Sequence, residues 1–295
     1  MLFSVIIPTR NRPRQLQRCL AALASIRYPK DNFEVIVVED GGCGDPAPAA
    51  EPFREKLSIR LLLQSHRGPA AARNNGARNA AGRFLAFTDD DCEPEANWLQ
   101  AFEAAIRARP DHLLGGTVKN ALAASSCAAA SQLIHDFTSA QYNRDPDAAR
   151  FFPSNNIAVV AAAFQRVGGF DEGFQLSGGE DRNFCDLWRS RGGRMSCAPE
   201  AIVWHRHEMG LRGFLTQHFN YGRGGFSYRL ARLRRGAGPV PFEGWPFHLG
   251  LLAAPLQTGA KLSLTVLVAL SQAAVASGYF YEAIAGRRPT VLAAD

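Results

Sequence analysis

Three consecutive aspartates, Asp89-Asp90-Asp91, follow a short apolar run from Phe84 to Phe87. The run is long enough for a buried strand and too short for a helix. Adjacent carboxylates repel one another, so we expect a cation beside them. Hard divalent cations such as Mg²⁺ bind carboxylate oxygens, usually together with the phosphates of a substrate. The triplet therefore predicts a metal–diphosphate site, although a solvated acidic turn has the same composition because Asp is also a turn residue.

A second acidic centre, Glu180-Asp181, follows the glycines Gly178-Gly179. Acidic residues are favourable in the first turn of a helix, because they meet the positive end of the helix dipole there. The alternative is that the glycines leave space for a substrate beside a carboxylate that acts on it. Farther along, His205 follows the strand-like run from Ala201 to Trp204. Its neutral imidazole is a good ligand for manganese-like ions.

The composition indicates what kind of chain carries these groups. Its 295 residues, 46% of them apolar, are enough for one large domain with a core, or for a domain plus an extension. The six cysteines are scattered, which argues against a zinc site and for free thiols in a reducing compartment. The chain starts directly with a strand-like run, so we expect no signal peptide and a cytoplasmic protein.

The net charge is +6, and Arg and His are concentrated between His205 and Arg235. No RNA-binding motif with interleaved aromatic residues accompanies this basic stretch, so we expect no nucleic-acid partner. Anionic lipid or a phosphorylated substrate suits a local basic patch.

The elements that must position these groups alternate between strands and helices. Strand-like runs from Phe3 to Ile7 and from Phe33 to Val38 precede the strand of the triplet, with helical patterns between them. This alternation predicts an α/β fold built on a mainly parallel sheet. Ligands of such sheets bind beyond the carboxyl ends of the strands, so Thr9, Asp40 and the triplet should converge on one ligand.

Four motifs in this order resemble those of family 2 glycosyltransferases, which have the GT-A fold, a Rossmann-like sheet flanked by helices. The motifs are Ser4 to Arg12, Val37 to Gly41, Gly68 to Gly76 and the aspartate triplet. The resemblance extends from the N-terminus to about Tyr221. It implies a metal-dependent, inverting enzyme that moves a sugar from a nucleoside diphosphate sugar to an acceptor hydroxyl.

The resemblance also implies roles for residues on the donor side. Asp40 would bind the nucleobase, and Asp89 would reach the ribose. Asp91 and His205 would hold the cofactor, a Mn²⁺ or Mg²⁺ ion. The other residues assigned to the nucleotide sugar should lie near the same strand ends: Pro8, Thr9, Arg10, Arg73 and Asp90. A surface position on a helix explains Arg73 equally well.

On the acceptor side, the Glu-Asp motif of the family makes Asp181 the general base and Glu180 its neighbour. Asn155 and Asn156 end a polar, Pro-containing loop that would border the acceptor and could hydrogen-bond a sugar. The acceptor would be a glycan, a lipid-linked molecule or a small molecule. Synthesis of cell-surface glycans or glycolipids is the process that we expect.

We predict a GT-A domain in residues 1–235, with the nucleotide-sugar half in residues 1–120 and the acceptor half in residues 121–235. Gly and Pro are dense just after residue 235, so a linker or break should lie there. Residues 236–295 would then form a helical C-terminal extension.

Within this extension, the stretch from Leu262 to Tyr281 has no charged residue and meets the length of a spanning helix, about 20 residues. A membrane hairpin, an interfacial helix and a helical cap on the catalytic domain all stay open. Membrane contact would place the protein at the inner face of the plasma membrane, with Arg287-Arg288 on the cytoplasmic side.

Two other functions fit parts of the sequence. A non-catalytic, membrane-associated sugar-binding or scaffold protein with the same fold should lack the triplet, the base or His205, and all three are present. A nucleotidyltransferase should carry a Gly-rich loop with Lys or Arg after the first strand. The segment from Pro8 to Asn11 contains no glycine, which counts against that class.

Overall fold

A computed structural model describes residues 1–176, 178–257 and 262–285 of the chain. In these residues, an eight-stranded mixed sheet is flanked by helices, which confirms the predicted α/β class. Ser177, beside the glycines of the second acidic centre, and the Arg287-Arg288 pair lie outside the described residues.

The sheet and the helices have the following bounds. The strands are β1 (Phe3–Thr9), β2 (Phe33–Asp40), β3 (Ile59–Gln64), β4 (Phe84–Thr88), β5 (Cys92–Pro94), β6 (His112–Asn120), β7 (Asn156–Val160) and β8 (Arg194–His205). The helices are α1 (Pro13–Ala24), α2 (Ala47–Ala50), α3 (Pro69–Arg78), α4 (Trp98–Ala108), α5 (Ser126–Tyr142), α6 (Ala161–Val167), α7 (Glu180–Ser190), α8 (Leu211–Arg234), α9 (Trp245–Gln257) and α10 (Leu262–Ala285).

The strand order is β3-β2-β1-β4-β7-β6-β8-β5. The first four strands along this order are parallel, as predicted. Strand β7 is antiparallel to both of its neighbours, and the sequence analysis did not predict it. Its first residue, Asn156, pairs with Thr88 at the end of β4. This antiparallel pairing brings the loop before β7 to the edge of the sheet where the aspartate triplet begins.

Apolar residues on the two faces of the sheet form separate cores. Helices α1 and α4 cover one face, where Trp98 is fully buried. Four phenylalanines pack together on the other face: Phe87, Phe164, Phe170 and Phe184. Every residue of β2 is buried, because helices pack on both of its faces. The strand ends that carry the polar residues are therefore anchored in a rigid framework.

The predicted helical extension contains α9 and α10. Helix α10 is the one helix among the described residues that is long and apolar enough to cross a membrane, with a mean hydropathy of 1.5. One of its faces packs on α8, where Gly278 lies against Phe219. The opposite face exposes large apolar side chains, among them Leu262, Val266, Leu270, Phe280 and Ile284. The boundary at residue 235 and the two halves of the domain stay predictions.

Candidate active site

The aspartate triplet leaves β4 with its three side chains pointing to different partners. Asp90 turns inward, where its carboxylate accepts a hydrogen bond from the Thr9 hydroxyl at 2.7 Å and one from Arg12 at 3.1 Å. Burial, reinforced by repulsion from Asp91, raises the pKa of Asp90 to about 7. Asp90 and Thr9 were both assigned to the nucleotide sugar, and in the structure they bind each other and join the ends of β1 and β4.

Asp91 faces His205. Cys92, the residue after Asp91, pairs with His205 across the antiparallel strands β5 and β8. This pairing brings the side chains of Asp91 and His205 into contact. The Asp91 Oδ1 and His205 Nε2 atoms are 3.1 Å apart, and Arg12 contacts the other carboxylate oxygen at 3.1 Å. Burial acts to raise the pKa of Asp91, but the positive charges of His205 and Arg12 outweigh it and hold that pKa well below its usual range.

The donor atoms around Asp91 fit a divalent cation. Ligand atoms of Asp91, Cys92 and His205 all lie within 4.8 Å of one another. Burial raises the pKa of the Cys92 thiol well above its ordinary value, so the thiol is protonated at neutral pH and is a poor ligand. The remaining set, one carboxylate and one imidazole, suits Mn²⁺ and is compatible with Mg²⁺ when phosphates complete the shell.

His207 lies two residues after His205. Its ring contacts that of His205 in an edge-to-face arrangement, with the ring centroids 3.6 Å apart and the planes inclined by 60°. Burial and the nearby charge of His205 lower the pKa of His207 to about 3. A neutral ring in this position fixes the orientation of the His205 imidazole.

Arg73 joins the two acidic centres. This side chain of α3 is almost fully buried, and its guanidinium contacts Asp89 at 2.6 Å and Glu180 at 3.4 Å. A surface position on the helix is therefore wrong for Arg73. Asp89 keeps 28% of its side chain exposed, so it can still contact a ligand. The buried guanidinium of Arg73 thus brings Asp89, from the triplet, and Glu180, from the second acidic centre, into one site.

Asp40 is saturated with hydrogen bonds. One oxygen accepts from the Gln64 amide and the Arg67 backbone N–H, both at 2.8 Å. The other accepts from the His66 ring at 2.8 Å and the Gly68 backbone N–H at 2.9 Å. Burial would raise the pKa of Asp40, but these hydrogen bonds outweigh it and lower the pKa. Asp40 thus holds the loop between β3 and α3, and its carboxylate presents no free acceptor site.

A cavity of about 280 Å³ lies beside this loop, at the ends of β2 and β3. It is lined by Glu39, Gly41, Gly42, Cys43, Gly44, Asp45, Leu63 and Gln64. Arg10 reaches the same edge, where its guanidinium donates to His66 Nε2 at 3.1 Å. Because an Arg N–H can only donate, Nε2 accepts, and Nδ1 carries the proton donated to Asp40. Pro8 precedes Thr9 in β1, one strand away from the cavity.

The base motif begins helix α7. Gly178 and Gly179 have φ values of +120° and +94°, a left-handed backbone that favours glycine. The Gly178 N–H donates to Glu180 at 2.7 Å, and the Arg182 N–H donates to Asp181 at 2.7 Å. Burial raises the pKa of Glu180 to about 7 and raises that of Asp181 as well. A carboxylate whose pKa is moved toward neutrality is suited to accept a proton.

Asn156 has a structural role that its loop-like sequence does not reveal. Its side chain accepts from the Trp98 indole at 2.9 Å and donates to the carbonyls of Thr117 at 2.9 Å and Ala201 at 2.8 Å. These three bonds join α4, β6 and β8, so Asn156 is not free to bind an acceptor sugar. The buried Asn155 side chain keeps a carbonyl oxygen that has no hydrogen-bond partner among the described residues.

Two functional candidates were missed by the sequence analysis. Arg12 contacts both Asp90 and Asp91, and its position in the loop after β1 was the available signal. Tyr221 of α8 lies against Gly178 and keeps 40% of its surface exposed. Desolvation on its enclosed side and the charges of four surrounding carboxylates raise the pKa of its hydroxyl. Nothing in the local sequence distinguishes Tyr221, because its neighbours come from the triplet and from the segment Gly178 to Asp181, which we call the base loop.

Comparisons with known proteins agree with this geometry. The model of the family described as glycosyl transferase family 2 matches residues 4–168, more than half of the chain. Glycosyltransferase AglE from Haloferax volcanii is 32% identical over 224 residues, which cover 75% of this chain and 72% of AglE.

Two solved structures share the fold at 19% sequence identity. The mannosyltransferase PcManGT from Pyrobaculum calidifontis, in complex with GDP-Man and Mn²⁺, has a TM-score of 0.65 over 96% of this chain and 86% of its own. Residues 1–349 of S. aureus TarS, in complex with UDP-GlcNAc, have a TM-score of 0.56 over 97% of this chain and 92% of their own. The chain therefore belongs to glycosyl transferase family 2 and is a glycosyltransferase with the GT-A fold.

Proposed function

We propose that this glycosyltransferase transfers a sugar from a nucleoside diphosphate sugar to an acceptor hydroxyl, with metal dependence and inversion at the anomeric carbon. The observation that carries the proposal is the Arg73 bridge between Asp89 and Glu180. It makes one site of a donor-side carboxylate and a base motif that are far apart in the sequence. A donor and an acceptor bound at these two centres would meet across Arg73.

The donor would occupy the edge formed by β1, β2 and β4. The cavity beside the Asp40 loop would take the nucleobase, with Asp40 holding its wall, and the partly exposed carboxylate of Asp89 would reach the ribose. Two structural neighbours support this assignment, because one was solved with GDP-Man and the other with UDP-GlcNAc. Arg10, whose guanidinium contacts His66 on the same edge, would contact the nucleotide.

Asp91 and His205 would hold a Mn²⁺ or Mg²⁺ ion. Such an ion offsets the charge that develops on the departing diphosphate. Arg12 and His207 keep the two ligands in position from either side. The Mn²⁺ ion in the complex of PcManGT supports the use of a divalent cation.

Asp181 would remove the proton from the acceptor hydroxyl as the oxygen attacks the anomeric carbon. Its burial favours proton uptake, and the Arg182 N–H fixes one carboxylate oxygen, which leaves the other for the hydroxyl. One base opposite the leaving group is sufficient for a single displacement with inversion. A diphosphate needs no general acid when a cation balances its charge.

For the acceptor, we propose a glycan or a lipid-linked molecule used in cell-surface synthesis. Trp245, Leu249, Phe280 and Ile284 of α9 and α10 are more than half exposed, and large apolar side chains exposed on two neighbouring helices suit the boundary of a membrane. Helix α10 would meet the membrane with its exposed apolar face, because its opposite face packs on α8.

A panel of UDP-, GDP- and dTDP-sugars tests the donor assignment. Each compound is incubated with metal-free protein, with and without Mn²⁺, and both thermal stabilisation and release of the nucleoside diphosphate are measured. We expect the sugars of one nucleotide class to stabilise the protein. These nucleotide sugars should be hydrolysed only when Mn²⁺ is present. Full turnover in chelator would contradict metal dependence, and no response to any compound would contradict the donor class.

Sedimentation with anionic lipid vesicles tests the membrane contact separately. We expect the full-length protein to pellet with vesicles at low salt and to stay partly bound at high salt, because apolar contacts are not screened. A protein that stays monodisperse and ignores the vesicles would show that α9 and α10 serve only as a cap on the catalytic domain.

A further inference from the structure

Helix α8 is held between the base loop and α10 by contacts that involve backbone atoms. On one side, a β-carbon added at Gly224 would overlap the Gly178 carbonyl, and one added at Gly179 would lie 2.5 Å from the Gly224 carbonyl oxygen. On the other side, a β-carbon at Gly222 would overlap the Val275 carbonyl. The helix therefore touches the base loop and α10 within three residues of its length.

The contact with α10 is reciprocal. A β-carbon at Gly278 would overlap the carbonyl oxygen of Phe219, so each helix presents a glycine to the backbone of the other. An ion pair between Arg223 Nε and Glu282 at 2.6 Å continues the same seam. The Arg223 guanidinium also lies 5.4 Å from the ring centroid of Tyr281. These contacts fix the position of α10 along α8 as well as its distance.

We infer that α10 is a positioning element for the base Asp181 and acts on it through α8. The inference rests on the proposed role of Asp181. Side chains can absorb a small displacement by changing rotamer, whereas a backbone that lies against a backbone cannot. A change in the spacing between α10 and α8 would therefore displace α8 relative to the Gly178-Gly179 turn on its other side. This turn sets the start of α7. The apolar C-terminal helix is thereby part of the catalytic apparatus.

The geometry predicts opposite results for neighbouring glycines of the same helix. Ala is normally favoured over Gly inside a helix. Gly225 faces open space, so Gly225→Ala should raise the melting temperature slightly and leave transfer unchanged. Gly222 does not contact the base loop, and the methyl group that Gly222→Ala adds should push α10 away from α8. We expect it to lower transfer by about 10²-fold, the loss that an error of about 1 Å in position causes.

Two readouts separate positioning from general stability. Hydrogen exchange of the amides from Gly178 to Asn183 should become faster in Gly222→Ala, while exchange in β1 and β2 stays as in the wild type. The affinity for UDP, GDP or the donor sugar that the panel selects should also be unchanged. Normal transfer together with normal exchange in the base loop of Gly222→Ala would overturn the inference.

A milder pair of variants covers the case in which Gly222→Ala fails to fold. Glu282→Arg breaks the ion pair with Arg223, and Arg223→Glu in the same chain restores it with reversed polarity. We expect loop exchange and transfer to be impaired in the single variant and rescued in the double variant. An unimpaired single variant would count against the inference. If Asp181→Asn kept full transfer while loop exchange still responded to these variants, the role of Asp181 would fail and the mechanical coupling would stand.

Discussion

The donor edge and the base loop differ in what opposes the burial of their carboxylates. Asp91 lies against His205 and Arg12, and their charges keep its pKa low. Glu180 shares Arg73 with Asp89 and has Asp181 as its neighbour, so burial prevails and raises its pKa to about 7. Asp91 is therefore held as an anion that can bind a cation, whereas Glu180 is held near the pH at which it can take up a proton. Environments of this kind allow identical side chains to take different roles.

Asp90 shows that position along the sheet is not what separates the two behaviours. It stands beside Asp91 on the donor edge, yet its pKa is also raised to about 7. Arg12 reaches both residues, but His205 reaches only Asp91. The number of cationic partners per carboxylate decides the outcome, and the variants below change that number or remove the carboxylate.

The largest effect should come from removing the proposed base, Asp181. Asp181→Asn should lower the transfer rate by about 10²–10⁴-fold, the usual contribution of a positioned acid or base, because an amide cannot accept the proton. Binding of the nucleotide sugar should be unchanged, since Asp181 is not on the donor edge. Steady-state rates and calorimetric binding of the donor measure the two quantities. Near-normal transfer would reduce Asp181 to a helix N-terminal acid, and Glu180 would then be tested.

Arg73 is common to both regions, so its loss should damage both. Arg73→Met leaves Asp89 and Glu180 without their shared cation, and breaking a buried ion pair typically costs about 3 kcal/mol of the free energy of unfolding. Arg78→Met is the matched control, because Arg78 lies on the same helix and half of its side chain is exposed in a pair with Glu172. Its cost should be about 0.5 kcal/mol. Urea denaturation compares them, and equal losses would contradict the bridge.

Removing a carboxylate from the donor edge should weaken cation binding first. Asp91→Asn should lower the affinity for Mn²⁺ by at least about tenfold, since even partners behind a metal ligand contribute that much. Donor binding in the presence of Mn²⁺ should weaken with it. Paramagnetic resonance of free Mn²⁺ gives the affinity, with the exposed Asp111→Asn as the control. An unaltered Mn²⁺ affinity in Asp91→Asn would move the cation site elsewhere.

The smallest effect is on the pH dependence of stability. The pKa of Glu180 is about 7 in the folded protein and near 4.5 ordinarily. Its contribution to stability is therefore complete below about pH 4.5 and is lost as the pH rises through about 7. Glu180→Gln should reduce the fall in the free energy of unfolding between about pH 5 and 8, whereas the exposed Glu208→Gln should not. Parallel curves for wild type and Glu180→Gln would contradict the raised pKa.

The sequence predicted the elements whose signal is local. Strands β1, β2 and β4 are buried apolar runs, and the carboxyl ends of parallel strands meet at one edge, so convergence of Thr9, Asp40 and the triplet could be expected. Strand β7 was not predicted, because it contributes only a few apolar residues between a polar loop and an Ala-rich helix. Its antiparallel place in the sheet depends on pairing with β4 and β6, which no local pattern encodes.

The partners of the site residues were also beyond local reasoning. Asn156 reads as a loop residue, but it bonds Trp98 and two carbonyls that are distant in the sequence. Arg73 reads equally well as a surface residue, because its burial depends on Phe170 and Glu180 from the other half of the chain. Residue types could be matched to a family motif, whereas the number of partners around each charge required the three-dimensional structure.

The saturated carboxylate of Asp40 has a consequence for the thermodynamics of donor recognition. Its four hydrogen bonds fix the backbone from Gln64 to Gly68 before any ligand arrives. The conformational entropy of this wall is therefore lost during folding and does not oppose association. A nucleotide that binds in the cavity, as we propose, would enter a preorganised pocket, and its affinity would report the contacts made there without a penalty for ordering the loop.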